Sequence, residues 1–352
     1  MDKLQTKDLT PMRRALELAE RGRYSTSPNP MVGCVIVRDG NVIAEGFHRR
    51  AGEPHAEIEA LGQARDARGA TMYVTLEPCA HHGRTPPCAD AVVASGVRRV
   101  VVAMRDPHDV VDGRGIETLR AGGIEVTTGI CESEARRMNE KFVWSVTQKL
   151  PFVLLKAAMT LDGKLATESG ESQWITGEDA RERSLQLREE YDAILVGSGT
   201  VKADNPRLTR RLALNQSITP WTRVVLDGDG DLPPHAQLLR DGGRTLVFTS
   251  QDLDGADVVH TSGRADLGSV LAEVYARGVQ SLLVEGGAVV ISDFIRAGLW
   301  QKMIVFVAPA LAGGSRSIFS GDPVGRLTDA LRFRFDRAEF VGRDLMITAY
   351  PT

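Results

Sequence analysis

The chain has 352 residues, 42% hydrophobic and 25% charged, with Lys+Arg 43 against Asp+Glu 46 and a formal net charge of −3. That length exceeds what one hydrophobic core usually fills and predicts two domains. The near balance of charge argues against a nucleic-acid binder, no apolar run approaches the roughly 20 residues of a membrane span, and four cysteines are too few for a disulfide framework.

Thr10-Pro11-Met12 has the form of a helix start, with Thr as N-cap and Pro at the first helical position. Ala15, Leu16 and Ala19 continue at helical spacing. Residues 1–23 are charged and lack the apolar stretch of a secretion signal, which points to the cytoplasm. Val32–Val37 and Val42–Glu45 read as strands joined at Asp39-Gly40, a hairpin turn signal. A helix over His55–Arg65, a buried strand over Thr71–Leu76, a helix over Cys88–Ser95 closed by Gly96, and a strand over Arg99–Met104 follow. Ile116–Ala121 is predicted helical, Ile124–Thr127 a strand and Glu132–Val146 a single helix. This alternation predicts an α/β sheet covered by helices. Pro151 cannot continue the last helix, so the boundary is placed between a first domain, 1–148, and a second, 149–352.

Within the first domain lies Pro54-His55-Ala56-Glu57, followed by Pro78-Cys79 and Pro87-Cys88. Zinc favours tetrahedral nitrogen and sulfur ligands, and a catalytic zinc keeps its fourth position for water. His55, Cys79 and Cys88 can fill the other three. All three stand where helices are predicted to begin, and helix N-termini favour the thiolate. Glu57 is close enough to move protons without binding the metal. It can take one from a water whose pKa zinc lowers to about 7 and pass it to a leaving amine. A structural zinc, with His81 or His82 as fourth ligand, is the alternative. The pattern is that of base deaminases, H-x-E…P-C-x-x-C, except that eight residues separate the cysteines.

The stretch Thr75-Leu76-Glu77-Pro78-Cys79-Ala80-His81-His82-Gly83-Arg84-Thr85-Pro86-Pro87-Cys88 resembles the riboflavin-biosynthesis deaminases. So do Asn29-Pro30-Met31-Val32-Gly33-Cys34 and Gly46-Phe47-His48-Arg49-Arg50-Ala51-Gly52-Glu53-Pro54-His55-Ala56-Glu57. The resemblance implies a cytidine-deaminase-like three-layer α/β/α domain with one Zn2+. Its target would be C2 of a diaminopyrimidinone carrying a ribosylamino 5-phosphate. Asn29, His48, His81 and Arg84 would hold the pyrimidine and its ribose phosphate, and an arginine fork matches phosphate. Cys34 and Cys131 read as a buried strand cysteine and an incidental thiol.

After Pro151 the pattern restarts with strand Phe152–Ala158, helix Ala180–Glu190 and strands Ala193–Val196, Arg223–Leu226, Thr245–Phe248 and Ser281–Glu285. A helix near Val289–Ala297 and strands Met303–Ala308 and Leu345–Ala349 complete it. No G-x-G-x-x-G follows a strand, so a standard Rossmann domain is not supported. Two strands run instead into Gly197-Ser198-Gly199-Thr200 and Gly286-Gly287, turns whose amides can cradle a phosphate at a helix N-terminus.

Ala158-Met159-Thr160-Leu161-Asp162-Gly163-Lys164, Ser169-Gly170-Glu171-Ser172-Gln173-Trp174-Ile175-Thr176 and Thr200-Val201-Lys202-Ala203-Asp204-Asn205-Pro206-Arg207-Leu208-Thr209 resemble the riboflavin reductase domain. The chain is thus similar, over nearly its whole length, to the bifunctional deaminase/reductases of riboflavin biosynthesis. A dihydrofolate-reductase-like α/β domain using NADPH is implied. Ala158, Trp174, Thr200, Asp204 and the run Gly287, Ala288, Val289, Val290, Ile291, Ser292 and Asp293 would line the nicotinamide nucleotide. Ser172, Arg188, Leu208, Arg211 and Glu285 would face the sugar phosphate, with Arg188 and Arg211 as phosphate clamps and Glu285 as candidate proton donor. The hydride would go to ribose C1′, opening the sugar to a ribityl chain. Two rivals remain: a nucleic-acid base deaminase, which 5% aromatics and balanced charge disfavour, and a sensor that binds nucleotide without turnover. The implied partners are small molecules, with neither nucleic acid nor membrane, and a homo-oligomer is left open.

Overall fold

The computed structural model describes residues 3–80, 87–108, 111–321 and 324–352. Its contacts divide the chain into two units, Met1–Lys149 with Asn215–Ile218, and Leu150–Leu214 with Thr219–Thr352. Among the described residues no helix is long and apolar enough to cross a membrane.

The first unit runs α1 (Lys3–Ala19), β1 (Gly33–Arg38), β2 (Asn41–Phe47), α2 (Ala56–Gln63), β3 (Thr71–Leu76), α3 (Cys88–Ala94), β4 (Arg99–Met104), α4 (Arg114–Ala121), β5 (Glu125–Thr128), α5 (Glu132–Met138) and α6 (Glu140–Gln148). The sheet is ordered β2-β1-β3-β4-β5, antiparallel at β2-β1-β3 and parallel from β3 to β5. The β1–β2 turn sits at Asp39 (φ 51°) and Gly40 (φ 79°), the left-handed pair that a two-residue hairpin favours. Met72, Val74, Val100, Val101 and Val102 are fully buried, as expected of strands covered on both faces. A Cβ on Gly33 would stand 1.9 Å from the Ala15 carbonyl oxygen, so glycine is what lets β1 lie against α1.

Two helix boundaries differ from those expected. Thr10 does not cap α1, which starts earlier and carries Pro11 inside it. Buried Asp8 anchors the turn before the proline, accepting from Tyr73 Oη and from Arg99. The single helix expected over Glu132–Val146 is interrupted at Asn139. That buried side chain accepts from Met31 N and donates to Met31 O, a tertiary bond pair that outweighs continuing the helix.

The second unit runs β6 (Phe152–Thr160), α7 (Glu178–Glu190), β7 (Ala193–Gly197), α8 (Ser198–Asp204), β8 (Thr222–Leu226), α9 (Gln237–Arg240), β9 (Thr245–Thr249), β10 (Asp257–His260), α10 (Leu267–Ala276), β11 (Ser281–Val284), α11 (Ala288–Ala297), β12 (Lys302–Ala308), β13 (Phe333–Val341) and β14 (Asp344–Pro351). The sheet is ordered β10-β9-β8-β7-β11-β6-β12-β14-β13, parallel as far as β12 and antiparallel beyond. Val153, Leu154, Leu155, Ile194, Leu195, Leu282 and Leu283 are fully buried, and apolar clusters cover the sheet. Ligands of open parallel sheets gather at the carboxyl ends of the strands. A cavity of about 2080 Å³ lies there, lined by residues at or just beyond the ends of β6, β7, β8 and β11.

Candidate active sites

In the first unit, His55 is the extended N-cap residue of α2, Cys79 follows β3, and Cys88 opens α3. Their ligand atoms all lie within 4.8 Å of one another. His55 Nδ1 is 3.2 Å from Cys88 Sγ and 3.6 Å from Cys79 Sγ. A tetrahedral zinc with bonds of ~2.0–2.3 Å sets such pairs about 3.5–3.8 Å apart, so the donor set fits the ion. The Cys88 thiol hydrogen-bonds Cys79, and this contact above all draws Cys79 down to about 4 while pushing Cys88 far up. The backbone N–H of Cys88, opening α3, also donates to Cys79 Sγ at 3.3 Å. Both contacts favour the thiolate at Cys79, the form that binds a cation.

Glu57 lies in the first turn of α2 and is 3% exposed. Burial, above all, raises its carboxyl to about 7, where one group can both accept and donate a proton near neutrality. His48 is buried and its pKa is lowered by that burial, so the ring is neutral. Its Nδ1–H donates to the Pro54 carbonyl (3.1 Å), leaving Nε2 to accept from Asn29 Nδ2 (3.0 Å). Asn29, His48, His55, Glu57 and Cys79 line one cavity of about 490 Å³. His81, His82 and Arg84 lie outside the described residues.

Three further residues shape this cavity without having been expected to. The buried carboxylate of Glu77 collects the amides of Asp106, Gly113 and Ile116, fixing the loop beyond β4. Asp106 lines the cavity, and burial raises it to about 6. Ile218, from the short segment Asn215–Ile218 of this unit, adds an apolar wall. Glu77 alone had a local signal, a charge closing an apolar strand.

In the second unit, Ala158, Ser172, Trp174, Arg188, Thr200, Asp204, Leu208, Arg211, Glu285, Gly287, Ala288, Val289, Val290 and Asp293 line the larger cavity. Ile291 and Ser292, the other two residues of that run, are not among the residues that line it. Ile291 is part of the hydrophobic core, and Ser292 Oγ donates to the Ala288 carbonyl and accepts from Ser320 N. A continuous run on an α-helix cannot face one way. Gly287 caps α11 and Gly199 lies in the first turn of α8. Nothing lies within 4 Å of where a Cβ on either would stand, so the backbone there is open to a phosphate. The cavity fits a nicotinamide dinucleotide.

Glu285 meets Arg188 through Nε–Oε1 (3.0 Å) and Nη2–Oε2 (2.9 Å), and Lys156 Nζ stands 3.9 Å from Oε2. Burial opposes the charge on Glu285, but Lys156 and Arg188 outweigh it and hold the carboxyl at about 2. Glu285, the candidate proton donor, is thus held toward its carboxylate form by these two cations. Arg188 likewise has two donors committed before any phosphate arrives. Lys156 is the buried ammonium of the group, its pKa lowered by burial. Its signal in the sequence is a lone charge inside the apolar run of β6.

A family model for the RibD C-terminal domain matches residues 151–347, and one for the cytidine and deoxycytidylate deaminase zinc-binding region matches 5–104. The riboflavin biosynthesis protein RibD of Aquifex aeolicus is 42% identical over 346 residues, covering 96% of each chain. Its counterpart in Escherichia coli is 41% identical, covering 96% of this chain and 97% of its own. The solved structure of Acinetobacter baumannii RibD matches with a TM-score of 0.91 at 41% identity over 99% of both chains. A Thermotoga maritima structure, described as a diaminohydroxyphosphoribosylaminopyrimidine deaminase/5-amino-6-(5-phosphoribosylamino)uracil reductase, matches at 0.90 and 39% identity, over 99% of this chain and 100% of its own.

Proposed function

The chain belongs to the RibD family, and from that premise we propose how its two sites divide the work. It is a bifunctional enzyme of riboflavin biosynthesis, a zinc-dependent deaminase and an NADPH-dependent reductase. The first step deaminates 2,5-diamino-6-ribosylamino-4(3H)-pyrimidinone 5′-phosphate, and the second reduces the ribosyl group to give 5-amino-6-ribitylaminouracil 5′-phosphate. The deaminase is assigned to residues 1–148 and the reductase to 149–352.

In this reading His55, Cys79 and Cys88 hold the zinc, which supplies a water acidic enough to lose its proton near neutral pH. Glu57 would pass that proton to the ring nitrogen and then move the same water's second proton to the departing ammonia, the water oxygen remaining on C2. Asn29, held by His48, orients the pyrimidine, and His81 and Arg84 are assigned to it and its ribose phosphate. In the reductase, NADPH supplies the hydride for C1′. Ala158, Trp174, Thr200, Asp204, Gly287, Ala288, Val289, Val290 and Asp293 hold the cofactor. Ser172, Leu208 and Arg211 face the sugar phosphate. Lys156 carries the proton that ring opening needs, positioned by Glu285 and Arg188.

The observation that carries the reading is the meeting of the His55 imidazole and two thiols beside buried Glu57. Chelating the metal is expected to stop ammonia release while NADPH oxidation by the deaminated intermediate continues. Equal loss of both would reject the division of labour. Arg211→Ala removes a charge-assisted phosphate contact and is expected to raise KM for the deaminated sugar phosphate roughly 10- to 150-fold, with NADPH affinity retained. Weakened NADPH binding with unchanged KM would move Arg211 to the cofactor.

The partners in this reading are small pyrimidine ribosyl phosphates, with no role for nucleic acid or membrane. Thiolate ligands stay available in a reducing compartment, and the cytoplasm is the location assigned. A second copy of the chain is the partner assigned to β13. It is the edge strand of its sheet, with Phe335 67% and Phe340 80% exposed, and such edges are pairing templates.

A further inference from the structure

Six arginines line the larger cavity: Arg181, Arg188, Arg207, Arg211, Arg264 and Arg316. Four have donors already engaged: Arg181 with the Thr176 carbonyl, Arg188 with Glu285, Arg207 with Gln237 and Arg316 with the Glu168 carbonyl. The side chains of Arg211 and Arg264 make no hydrogen bond among the described residues. Arg264 has Asp293 Oδ2 at 3.8 Å, and that carboxylate is itself bonded through Oδ1 to Arg296. Two phosphate monoesters enter this cavity during reduction, the substrate's 5-phosphate and the 2′-phosphate of NADPH. Two open guanidinium forks await them.

Topology decides which fork meets which. Arg211 lies between α8 and β8, with its backbone N–H on Glu189 of α7. Arg264 lies between β10 and α10 and closes over the residues that follow β8. A Cβ on Gly228 would stand 2.8 Å from Arg264 Cγ and 3.2 Å from its Cα, so the glycine leaves room for this arginine. In the sheet, β6 and β7 flank β11, and β8 lies beyond β7. In the reductase reading, the Gly286-Gly287 turn after β11, open at Gly287, would take the pyrophosphate and Ala158 on β6 would face the nicotinamide. The adenosine half would then extend the opposite way, past β7 to the end of β8.

Asp227 and Asp266, which also line this end, are occupied. Asp227 accepts from Asp231 N, Leu232 N and Thr249 Oγ1, and Asp266 accepts from Ser269 N and Oγ. Lys202 is held by Asp231. Asp229 lines the cavity too and by itself would favour a bare 2′-hydroxyl over a phosphate. An arginine beside the adenosine ribose is how dinucleotide sites accommodate a 2′-phosphate. We propose that Arg264 recognises the 2′-phosphate and makes the reductase selective for NADPH over NADH, an inference that rests on the reductase reading above.

The test is equilibrium binding to the full chain, without substrate, of NADPH, NADH and 2′,5′-ADP. Arg264→Gln is expected to weaken NADPH and 2′,5′-ADP roughly 10- to 150-fold while leaving NADH unchanged. Arg264→Lys keeps a charge but not the fork and is expected to fall between. The side chain is 74% exposed, so the fold does not depend on it. A variant that keeps the wild-type preference for NADPH, or loses both nucleotides equally, overturns the assignment and leaves the reductase reading intact. A wild-type chain that binds neither nucleotide overturns both.

Discussion

Glu57→Gln is expected to keep its zinc and to slow ammonia release roughly 10²–10⁴-fold, the range typical of a general acid-base group. Glutamine fills the same space but cannot take up and return a proton. Glu57 is 3% exposed and its carboxyl is raised to about 7, chiefly by burial, so a neutral replacement costs the fold little. Metal content and initial ammonia rate are measured on the same sample. Near-normal turnover, or zinc lost together with turnover, would reject the role. NADPH oxidation with the deaminated intermediate is expected to be unaffected.

Cys88→Ala is expected to lose both zinc and deamination. It removes one of three protein ligands, so affinity should fall by more than the roughly 10–100-fold seen when a supporting contact is removed. Cys88 is 1% exposed, but the change deletes a single sulfur atom and leaves α3 its helix-forming residue. Retained reductase activity shows that the second unit is folded, and an unchanged circular dichroism spectrum shows the same of the first. Full zinc occupancy in this variant would sink the ligand assignment.

The His55–Cys79–Cys88 cluster is legible in the sequence because each donor sits in a short local pattern, although only His55 and Cys88 stand at helix starts and Cys79 follows β3. Its surroundings are less so. Asp106 and Ile218 reach the cavity from loops with no periodicity to place them. The Lys156–Glu285–Arg188 group is invisible for another reason. Parallel pairing of β6 with β11 and the position of α7 bring Glu285 to Lys156 and to Arg188, 97 residues away in the chain. Resemblance could name Glu285 and Arg188 but not show that each is the other's partner. Ile291 and Ser292 lie off the cavity lining because a contiguous run on α11 turns through every side of the helix.

Element boundaries fail where tertiary bonds win, at Asn139 and before Pro11. β10, α10 and β13 were absent from the expected elements. β13 alternates aromatic and charged residues on a largely exposed edge, so burial imposes no clean pattern on it. The Asp266 cap of α10 is a usable signal, its carboxylate accepting from Ser269 N at 2.8 Å.

Following one substrate through both steps tests the central claim most directly. The full chain is supplied with zinc, NADPH and 2,5-diamino-6-ribosylamino-4(3H)-pyrimidinone 5′-phosphate, and products are identified by mass spectrometry while ammonia and NADPH are quantified. Ammonia release followed by an equal amount of NADPH oxidation is predicted, ending in the ribitylaminouracil phosphate. With NADPH withheld, the deaminated ribosyl compound is predicted to accumulate. Reduction of the undeaminated pyrimidine by zinc-free protein, or deamination with no reduction when NADPH is present, would contradict it.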